Sequence, residues 1–219
     1  MCGRLNQTGE IKWRDFVTSI RLKPVYNAAP TETLSLIRSD RVEPARWWLV
    51  PSWAKEISTK YSMFNARSEN LTSSNAFRIP FQCQRGIVPI SSFIEWRGQK
   101  SGKQPWLVTN EQHCFYAAAL WDVWTGDDLP LLSCTIVTTE AAQPFTPWHH
   151  RMPVMLGEGE VERWLDNTVQ IPANDPVFRP QLKEPWHLSP LDKAVGNSRQ
   201  KSPELMNPIG EILTLSCQV

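Results

Sequence analysis

Apolar and polar residues alternate in short segments along the chain, and this pattern predicts many short β-strands. The segments end at prolines, glycines or polar turn residues, as strands in a compact sheet do. The predicted strands cover residues 34–37, 46–50, 86–90, 93–96, 106–108, 115–121 and 131–138. Residues 26–30, 52–60, 149–153 and 172–185 are predicted to be irregular connections.

Three other segments have helical patterns or propensities. Apolar residues between 13 and 20 fall at i, i+3, i+4 and i+7, which predicts a short amphipathic helix. A second helix is predicted from Asn70 to Phe77, stopped before Pro80, and a third from Glu158 to Leu165. All three are short, so we expect helices to flank the strands rather than to form the core.

Consecutive strands joined by tight turns, with helices interspersed, predict an α+β fold. We expect a single domain over residues 1–219, with a central, largely antiparallel, barrel-like sheet and short flanking helices. The segment from about residue 209 is expected to form a tail or, through residues 212–215, an edge strand. Eighteen prolines in 219 residues agree with many short elements.

The composition is ordinary for a globular protein in water, with 41% hydrophobic and 21% charged residues. A net charge of +1 does not indicate general nucleic-acid binding, so a DNA-binding surface would need its positive charge gathered in one patch. No apolar run has transmembrane length, and the N-terminus lacks a signal-peptide pattern. We therefore expect an intracellular, non-secreted protein without a membrane partner, cytoplasmic and associated with the nucleoid on DNA if bacterial.

The cysteines and histidines do not have the spacing of a metal site. Five cysteines, an odd number, show no C-x-x-C pair, and this predicts reduced thiols. The four histidines lack zinc-ligand spacing with them. We expect no metal and no other cofactor, and Cys83, Cys114, Cys134 and Cys217 are interpreted as inert.

Cys2 follows the initiator methionine, and removal of Met1 would leave one residue with two nucleophiles on adjacent carbons. Its α-amine would have a pKa of roughly 7.7–8.0, so part of it is neutral at physiological pH. An amine and a thiol in this arrangement condense with an aldehyde, first to an imine and then to a five-membered thiazolidine. The same residue could instead attack a carbonyl, as in an N-terminal nucleophile hydrolase.

Four segments carry polar groups in otherwise apolar surroundings: Cys2-Gly3-Arg4, Asn65-Ala66-Arg67, Glu95-Trp96 and residues 149–153. Together they supply a nucleophile, an amide, an acid, an imidazole and guanidiniums, an inventory suited to acid/base and covalent catalysis. Each also has a structural interpretation. Glu95 could pair with an arginine, His149 could satisfy a core hydrogen bond, and Asn65 and Arg67 could form a turn and a salt bridge. If Glu95 is functional, its apolar setting should raise its pKa.

Six segments in this order resemble the signature segments of the SOS response-associated peptidase (SRAP) family. They are Met1-Cys2-Gly3-Arg4, Tyr26-Asn27-Ala28-Ala29-Pro30, Pro51-Ser52-Trp53-Ala54, Asn65-Ala66-Arg67-Ser68-Glu69, Phe93-Ile94-Glu95-Trp96 and His149-x-Arg151-Met152-Pro153. The resemblance covers residues 1 to about 156. It implies an enzyme that senses abasic sites in single-stranded DNA and forms a thiazolidine crosslink with the ring-opened sugar. It also implies a peptidase activity, such as removal of its own first residue.

Carried over to this sequence, the resemblance implies a role for each matching residue. Cys2 would be the crosslinking nucleophile, and Asn65 would hold the Cys2 terminus or the sugar. Glu95 would promote opening of the sugar ring, and His149 would assist formation or reversal of the thiazolidine. Arg4 and Arg67 would bind the phosphates that flank the lesion.

The predicted DNA-binding surface is larger than these two arginines. Adjacent residues of a strand point to opposite faces, so one indole of the Trp47-Trp48 pair could pack inward while the other stacks on a base. The complete predicted DNA-binding set is Arg4, Asn27, Trp47, Trp48, Arg67, Arg85 and Arg151.

We therefore expect a monomer that acts on abasic sites in single-stranded DNA and shields the lesion in the DNA damage response. Two other functions stay open from the sequence. One is a cysteine peptidase or amidase that uses Cys2 with His149. The other is a non-catalytic single-stranded DNA-binding module in which Cys2 is incidental.

Overall fold

The computed structural model of the protein describes residues 3–11, 20–38, 41–98, 102–126 and 129–217. Most of the helix predicted between residues 13 and 20 lies outside the described residues, and so does Cys2. Ile20 is described, and it begins a short strand.

Fifteen strands and two α-helices lie within the described residues. The strands are β1 (Leu5–Gln7), β2 (Glu10–Ile11), β3 (Ile20–Arg21), β4 (Val25–Ala28), β5 (Thr33–Arg38), β6 (Arg41–Trp47), β7 (Asn65–Arg67), β8 (Arg85–Ile90), β9 (Ser92–Arg97), β10 (Gln104–Thr109), β11 (Phe115–Trp124), β12 (Leu131–Glu140), β13 (Arg151–Pro153), β14 (Trp186–Pro190) and β15 (Leu213–Leu215). The helices are α1 (Arg78–Cys83) and α2 (Glu158–Leu165). In the described part of the chain, no helix is long and apolar enough to cross a bilayer.

Five of the strands close into a barrel. Their order is β11-β8-β5-β6-β12, and β11 also pairs with β12, which completes the ring. Most neighbours are antiparallel, but β12 runs parallel to β6 and to β7. The α+β fold with a largely antiparallel barrel and few helices is therefore confirmed.

A second sheet packs against the barrel and contains the N-terminal strand. Its order is β15-β14-β10-β9-β1-β4, so β1 lies between two neighbours rather than at an edge. Phe93 and Val108 of this sheet share one apolar core with barrel residues such as Leu36. Ile94 lies in a separate cluster on the other face. Because side chains alternate along a strand, Glu95 shares the barrel-facing side of β9 with Phe93.

The helix predicted from Glu158 to Leu165 is confirmed as α2. The helix predicted from Asn70 to Phe77 is wrong, since α1 begins at Arg78 and contains Pro80. Proline is tolerated there because it lies in the first turn, where backbone N–H groups need no acceptor within the helix. Pro80 therefore does not stop a helix, as the sequence suggested, but stands near the start of one.

Several strand boundaries also differ from the prediction, because tertiary pairing overrides local pattern. The strand predicted over 46–50 ends at Trp47. Part of the predicted loop 149–153 is β13, which pairs with the end of β12. The predicted loop at 26–30 likewise begins within β4, which pairs with β1. The predicted edge strand near the C-terminus is confirmed as β15, which pairs with β14.

Candidate functional site

Glu95 is a buried acid at the centre of the second sheet. It lies opposite Trp106 of β10 and is only 3% exposed. Desolvation by this burial raises the pKa of its carboxyl group to about 7. Within the described residues, no arginine is among the groups that shift this pKa, so the structural interpretation as a pair with an arginine is disfavoured. Near neutral pH, Glu95 can both donate and accept a proton.

The start of the chain runs toward Glu95. Leu5 pairs with Phe93, and the Ile94 N–H donates to the Arg4 carbonyl at 3.0 Å. The same antiparallel register, carried back by two residues, places Gly3 opposite Glu95. Cys2 itself lies outside the described residues.

His149 is a half-buried imidazole with a reduced basicity. Desolvation is the main cause that lowers its pKa, to about 4, so the ring is neutral at physiological pH. Its Nδ1 accepts a hydrogen bond from the Arg151 N–H at 2.8 Å or donates one to the Arg151 carbonyl at 3.1 Å. Both neutral tautomers therefore have a backbone partner, and Nε2 can carry either a proton or a lone pair.

Glu95 and His149 belong to one region of the molecule. Trp106, which faces Glu95 across the strand pair, packs edge-on against Trp148 with ring centroids 5.8 Å apart. Trp148 directly precedes His149. The charge of Lys103 makes a smaller contribution that lowers the pKa of both Glu95 and His149; desolvation is the largest cause in each case. An acid and an imidazole therefore lie in one region, connected through the Trp106–Trp148 contact.

Asn65 and Arg67 lie on β7, which runs parallel to β12. Asn65 is buried, whereas Arg67, the last residue of the strand, is exposed. Arg67 and the exposed His150 line a cavity of about 410 Å³. Glu140 also lines this cavity, so Arg67 and His150 could donate to a phosphate only on the side away from its carboxylate.

Arg151 also borders this cavity, but its guanidinium is engaged inside the protein. The residue is 7% exposed and donates to both Glu69 carboxylate oxygens, at 2.6 and 3.0 Å. A further bond of 2.7 Å reaches the Thr138 carbonyl. The sequence suggested a salt bridge for Arg67, but the salt bridge in this region joins Arg151 to Glu69. It stabilises the segment that carries His149.

Arg4 and Asn27, both expected to contact DNA, contact each other. The Arg4 guanidinium donates to Asn27 Oδ1 at 2.8 Å and to the carbonyls of Val195 and Gly196 at 3.0 and 3.1 Å. Desolvation lowers the pKa of Arg4. Asn27 is fully buried. These contacts account for both residues structurally, so neither residue is needed to explain a DNA-binding surface.

Arg85 is likewise placed in the core rather than on a DNA surface. It is 1% exposed, and burial lowers its pKa. Its guanidinium donates to the carbonyls of Phe81, Gln82, Trp164, Asp166 and Val169. Five carbonyls at or just beyond the C-terminal ends of α1 and α2 thereby find a charged donor, which is a structural role.

The Trp47-Trp48 pair does not offer a stacking face. Trp47 is fully buried and Trp48 is 9% exposed, and their indole N–H groups donate to carbonyls of Phe64 and Ser58. The alternation argument fails because β6 ends at Trp47. Among the residues that the structure describes, the large exposed aromatics are Trp53 and Tyr61, 66% and 69% exposed. Both line a cavity of about 540 Å³. In the sequence, the exposure of Trp53 is indicated by its place as an aromatic residue in the polar connection 52–60.

The four described cysteines are free thiols. Cys134 is fully buried, and desolvation raises its pKa to about 12, so it is a poor nucleophile. Burial also raises the pKa of Cys114, while Cys83 is exposed. Within the described ranges, His, Cys, Asp and Glu side chains form no group of three or more that could hold a metal ion.

The chain is similar to known proteins in sequence and in structure. Abasic site processing protein YoqW from Bacillus subtilis (strain 168) is 32% identical over 226 residues, which cover 94% of this chain and 99% of that protein. Abasic site processing protein HMCES from Gallus gallus is 27% identical, with 95% of this chain and 73% of that protein covered. A crystal structure of a protein from Bacteroides thetaiotaomicron has a TM-score of 0.72 at 24% identity, covering 78% of this chain and 80% of that one.

The structural likeness is evidence for the fold alone, while the sequence match is evidence for the family. Residues 1–198 match the family model described as SOS response associated peptidase (SRAP). This match contains every residue of the site around Glu95 and His149. The chain therefore belongs to the SOS response associated peptidase family.

Proposed function

We propose that this protein processes abasic sites in single-stranded DNA by forming a covalent thiazolidine between Cys2 and the lesion. The proposal is supported by the relatives, which are named as abasic site processing proteins. The observation that carries it is Glu95, a buried carboxyl group with a pKa of about 7, opposite the start of the chain. Its proton is available at the pH at which an N-terminal amine is partly neutral.

Opening of the sugar ring is the first step. The protonated Glu95 carboxyl group donates to the ring oxygen, while a base removes the proton of the C1 hydroxyl group. Neutral His149 supplies that base through Nε2, in the tautomer whose Nδ1–H donates to the Arg151 carbonyl. The C1–O bond to the ring oxygen breaks, and C1 becomes an aldehyde. The proton that His149 gained then passes through solvent to the Glu95 carboxylate, so both groups return to their starting protonation states.

Adduct formation then consumes the aldehyde and releases one water. The α-amine of Cys2 attacks C1 to give a carbinolamine, and a proton from Glu95 turns its hydroxyl group into the departing water. The Glu95 carboxylate left behind takes the thiol proton, and the sulfur adds to the iminium carbon. The five-membered ring closes, and Glu95 is protonated again.

DNA binding is proposed to use exposed groups rather than the buried arginines. Arg67 and His150 line a cavity open to an anionic phosphate. Trp53 and Tyr61 present exposed rings on which bases of any identity can stack. An abasic site lacks a base, so recognition through phosphate, stacking and aldehyde chemistry fits the lesion.

The test is to mix the protein with single-stranded oligonucleotides that carry or lack an abasic site and to look for an adduct that survives denaturation. We expect an adduct only with the abasic strand, mapped by mass spectrometry to residue 2 with loss of one water. A variant that retains a residue ahead of Cys2 should bind DNA but not crosslink, because its nitrogen is acylated.

Cys2→Ser separates the two nucleophiles, and Cys83→Ser is its matched control. The Cys2→Ser variant should give little stable adduct, yet borohydride should trap its transient imine. Cys83→Ser should crosslink like the parental protein. An equally stable adduct from Cys2→Ser without reductant would exclude the thiazolidine, and turnover of a peptide in the absence of DNA would favour the peptidase function instead.

A further inference from the structure

Residues 195–206, here called the C-terminal strap, cover the outer face of the second sheet. Val195 is fully buried against Ile94 and Leu107 of the sheet. Leu205 and Met206, at the other end of the strap, pack against the same cluster. The strap therefore lies across the face of the sheet opposite to the barrel.

The side chains of Arg4, just before β1, and of Asn6, within β1, connect the start of the chain to the strap. Arg4 donates to the carbonyls of Val195 and Gly196. Asn6 Nδ2 donates to Ser92 Oγ at 2.7 Å and contacts the Met206 sulfur at 3.0 Å. The first strand is thus held by side-chain bonds to the strap as well as by its backbone ladders to β4 and β9.

Asn27 is the centre of this connection. Its Nδ2 donates toward three strap carbonyls, each 3.1 Å away, and these belong to Val195, Asn197 and Gln200. Its Oδ1 accepts from Arg4, and its N–H donates to Asn6 Oδ1 at 2.7 Å. Asn27 has a φ of 50°, a left-handed conformation that asparagine tolerates better than most residues. An amide serves here because it donates to the strap and accepts from the arginine with one side chain.

A second set of contacts between the strap and the rest of the protein lies at the surface. Lys201 of the strap donates to the Asn27 carbonyl at 2.9 Å and to both Glu32 carboxylate oxygens, at 2.7 and 2.6 Å. Lys201 is exposed, so this fastening can be removed without opening the core.

We infer that Asn27 and the C-terminal strap hold the described start of the chain, from Gly3 to Gln7, against the part of β9 that carries Glu95, and that this supports the reaction proposed for residue 2. This inference rests on the proposed function. The first residues of a chain are usually poorly ordered unless tertiary contacts hold them. The strand β1 is only three residues long, and its ladders and the Gln7 side chain hold its C-terminal end, while Arg4 and Asn27 connect its N-terminal end to the strap. A displacement of about 1 Å at a reacting group costs about 10²-fold in rate, so fastening the strand has a catalytic consequence.

Two variants loosen the strap by different routes. Asn27→Asp is nearly isosteric and keeps the acceptor for Arg4, but it replaces the donors to three carbonyls with a carboxylate. Lys201→Met removes only the surface fastening. Lys193→Met is the matched control, because it also removes one exposed positive charge next to the strap and leaves the bonds of Asn27 and Lys201 in place.

Three measurements are made on each folded variant. They are the single-turnover crosslinking rate at saturating protein, the affinity for single-stranded DNA with a tetrahydrofuran analogue that has no aldehyde, and hydrogen exchange of the Ile94 and Asn27 amides. We expect Asn27→Asp to slow crosslinking by about tenfold or more and Lys201→Met by less. Both should leave the affinity at the parental value and increase exchange at the two amides, while Lys193→Met changes nothing.

The outcomes separate this inference from the proposed function. If the parental protein gives no adduct, the proposed function fails, while hydrogen exchange still reports whether the strap holds β1. If the parental protein crosslinks and folded Asn27→Asp does so at the parental rate, the positioning role is overturned. Equal losses of rate in Lys193→Met and Lys201→Met would also overturn it, since charge alone would explain them.

Discussion

The region around Glu95 and His149 and the connection that carries Trp53 and Tyr61 differ in their exposure to water. In the first, desolvation raises the pKa of the acid to about 7 and lowers that of the imidazole to about 4. In the second, both rings are well exposed, Trp53 at 66% and Tyr61 at 69%, and available for stacking. Burial changes the reactivity of the first region, and exposure gives the second region surface for contact with DNA. Substitutions in the first should therefore change the crosslinking rate, and substitutions in the second should change the affinity for DNA.

The largest effect is expected from Glu95→Gln, which keeps the size of the side chain but removes its proton. Loss of a positioned acid/base group typically slows a reaction by roughly 10²–10⁴-fold. The single-turnover crosslinking rate should fall by this factor, while affinity for the tetrahydrofuran analogue stays near the parental value.

Glu184→Gln is the matched control for this substitution. Desolvation also raises the pKa of Glu184, but this residue bonds Asn110 and lines a different cavity. It should crosslink at the parental rate. Equal slowing by both substitutions, or parental rates in both, would contradict the assignment of Glu95.

The same substitution should change how stability depends on pH. The folded-state pKa of Glu95 is about 7, against an ordinary value of 4.5. Below pH 4.5 both the folded and the unfolded state hold the proton. Between the two pKa values only the unfolded state releases it, so the folded state loses stability that finally amounts to about 3 kcal/mol.

Glu95→Gln has no such loss, so it should be more stable than the parental protein at pH 8. At pH 4 this advantage should disappear. Urea unfolding at both pH values measures the difference in free energy, and a difference that does not vary with pH would show that Glu95 is not the desolvated group.

Trp53→Ala tests the exposed region and should act on affinity alone. Removal of one stacking ring typically costs about 1–3 kcal/mol of binding free energy, with little dependence on base identity. Trp53→Phe should retain much of the affinity, and Ile57→Ala serves as the control for an exposed apolar residue of the same connection. A reduced crosslinking rate at saturating protein, with unchanged affinity, would place Trp53 in the reactive region instead.

The sequence predicts the barrel and the burial of Glu95 better than it predicts which arginines and tryptophans are exposed. Glu95 lies between two apolar residues in a strand pattern, so its burial and raised pKa follow from local sequence. The burial of Arg4, Arg85 and Arg151 does not follow from local sequence, because most of the groups that accept their hydrogen bonds lie far away along the chain. Arg4, for example, bonds carbonyls of residues 195 and 196.

The exposed and buried tryptophans show the same limit. Trp47 and Trp48 lie in an apolar run that matches a strand, and the residue at which the strand ends decides where each side chain points. That end is set by pairing with β12, in which Trp47 lies opposite Cys134, far away in sequence. Trp53 lies in a polar connection, and this local signal does indicate exposure.

The smallest effect is expected from Arg67→Gln, and it distinguishes an exposed arginine from a buried one. Arg67 is exposed beside the cavity that it shares with His150, whereas Arg151 is neutralised by Glu69. Removing the charge that neutralises one phosphate should lower the slope of log affinity against log salt by about 0.7 on single strands. Arg67→Gln should therefore weaken binding to all single strands alike and reduce this slope, with an unchanged crosslinking rate at saturation. Lys193→Gln, which removes a charge outside the cavity, should leave the slope as it is. A parental slope in Arg67→Gln would remove this residue from the interface and leave His150 to be tested as the phosphate-binding group of the cavity.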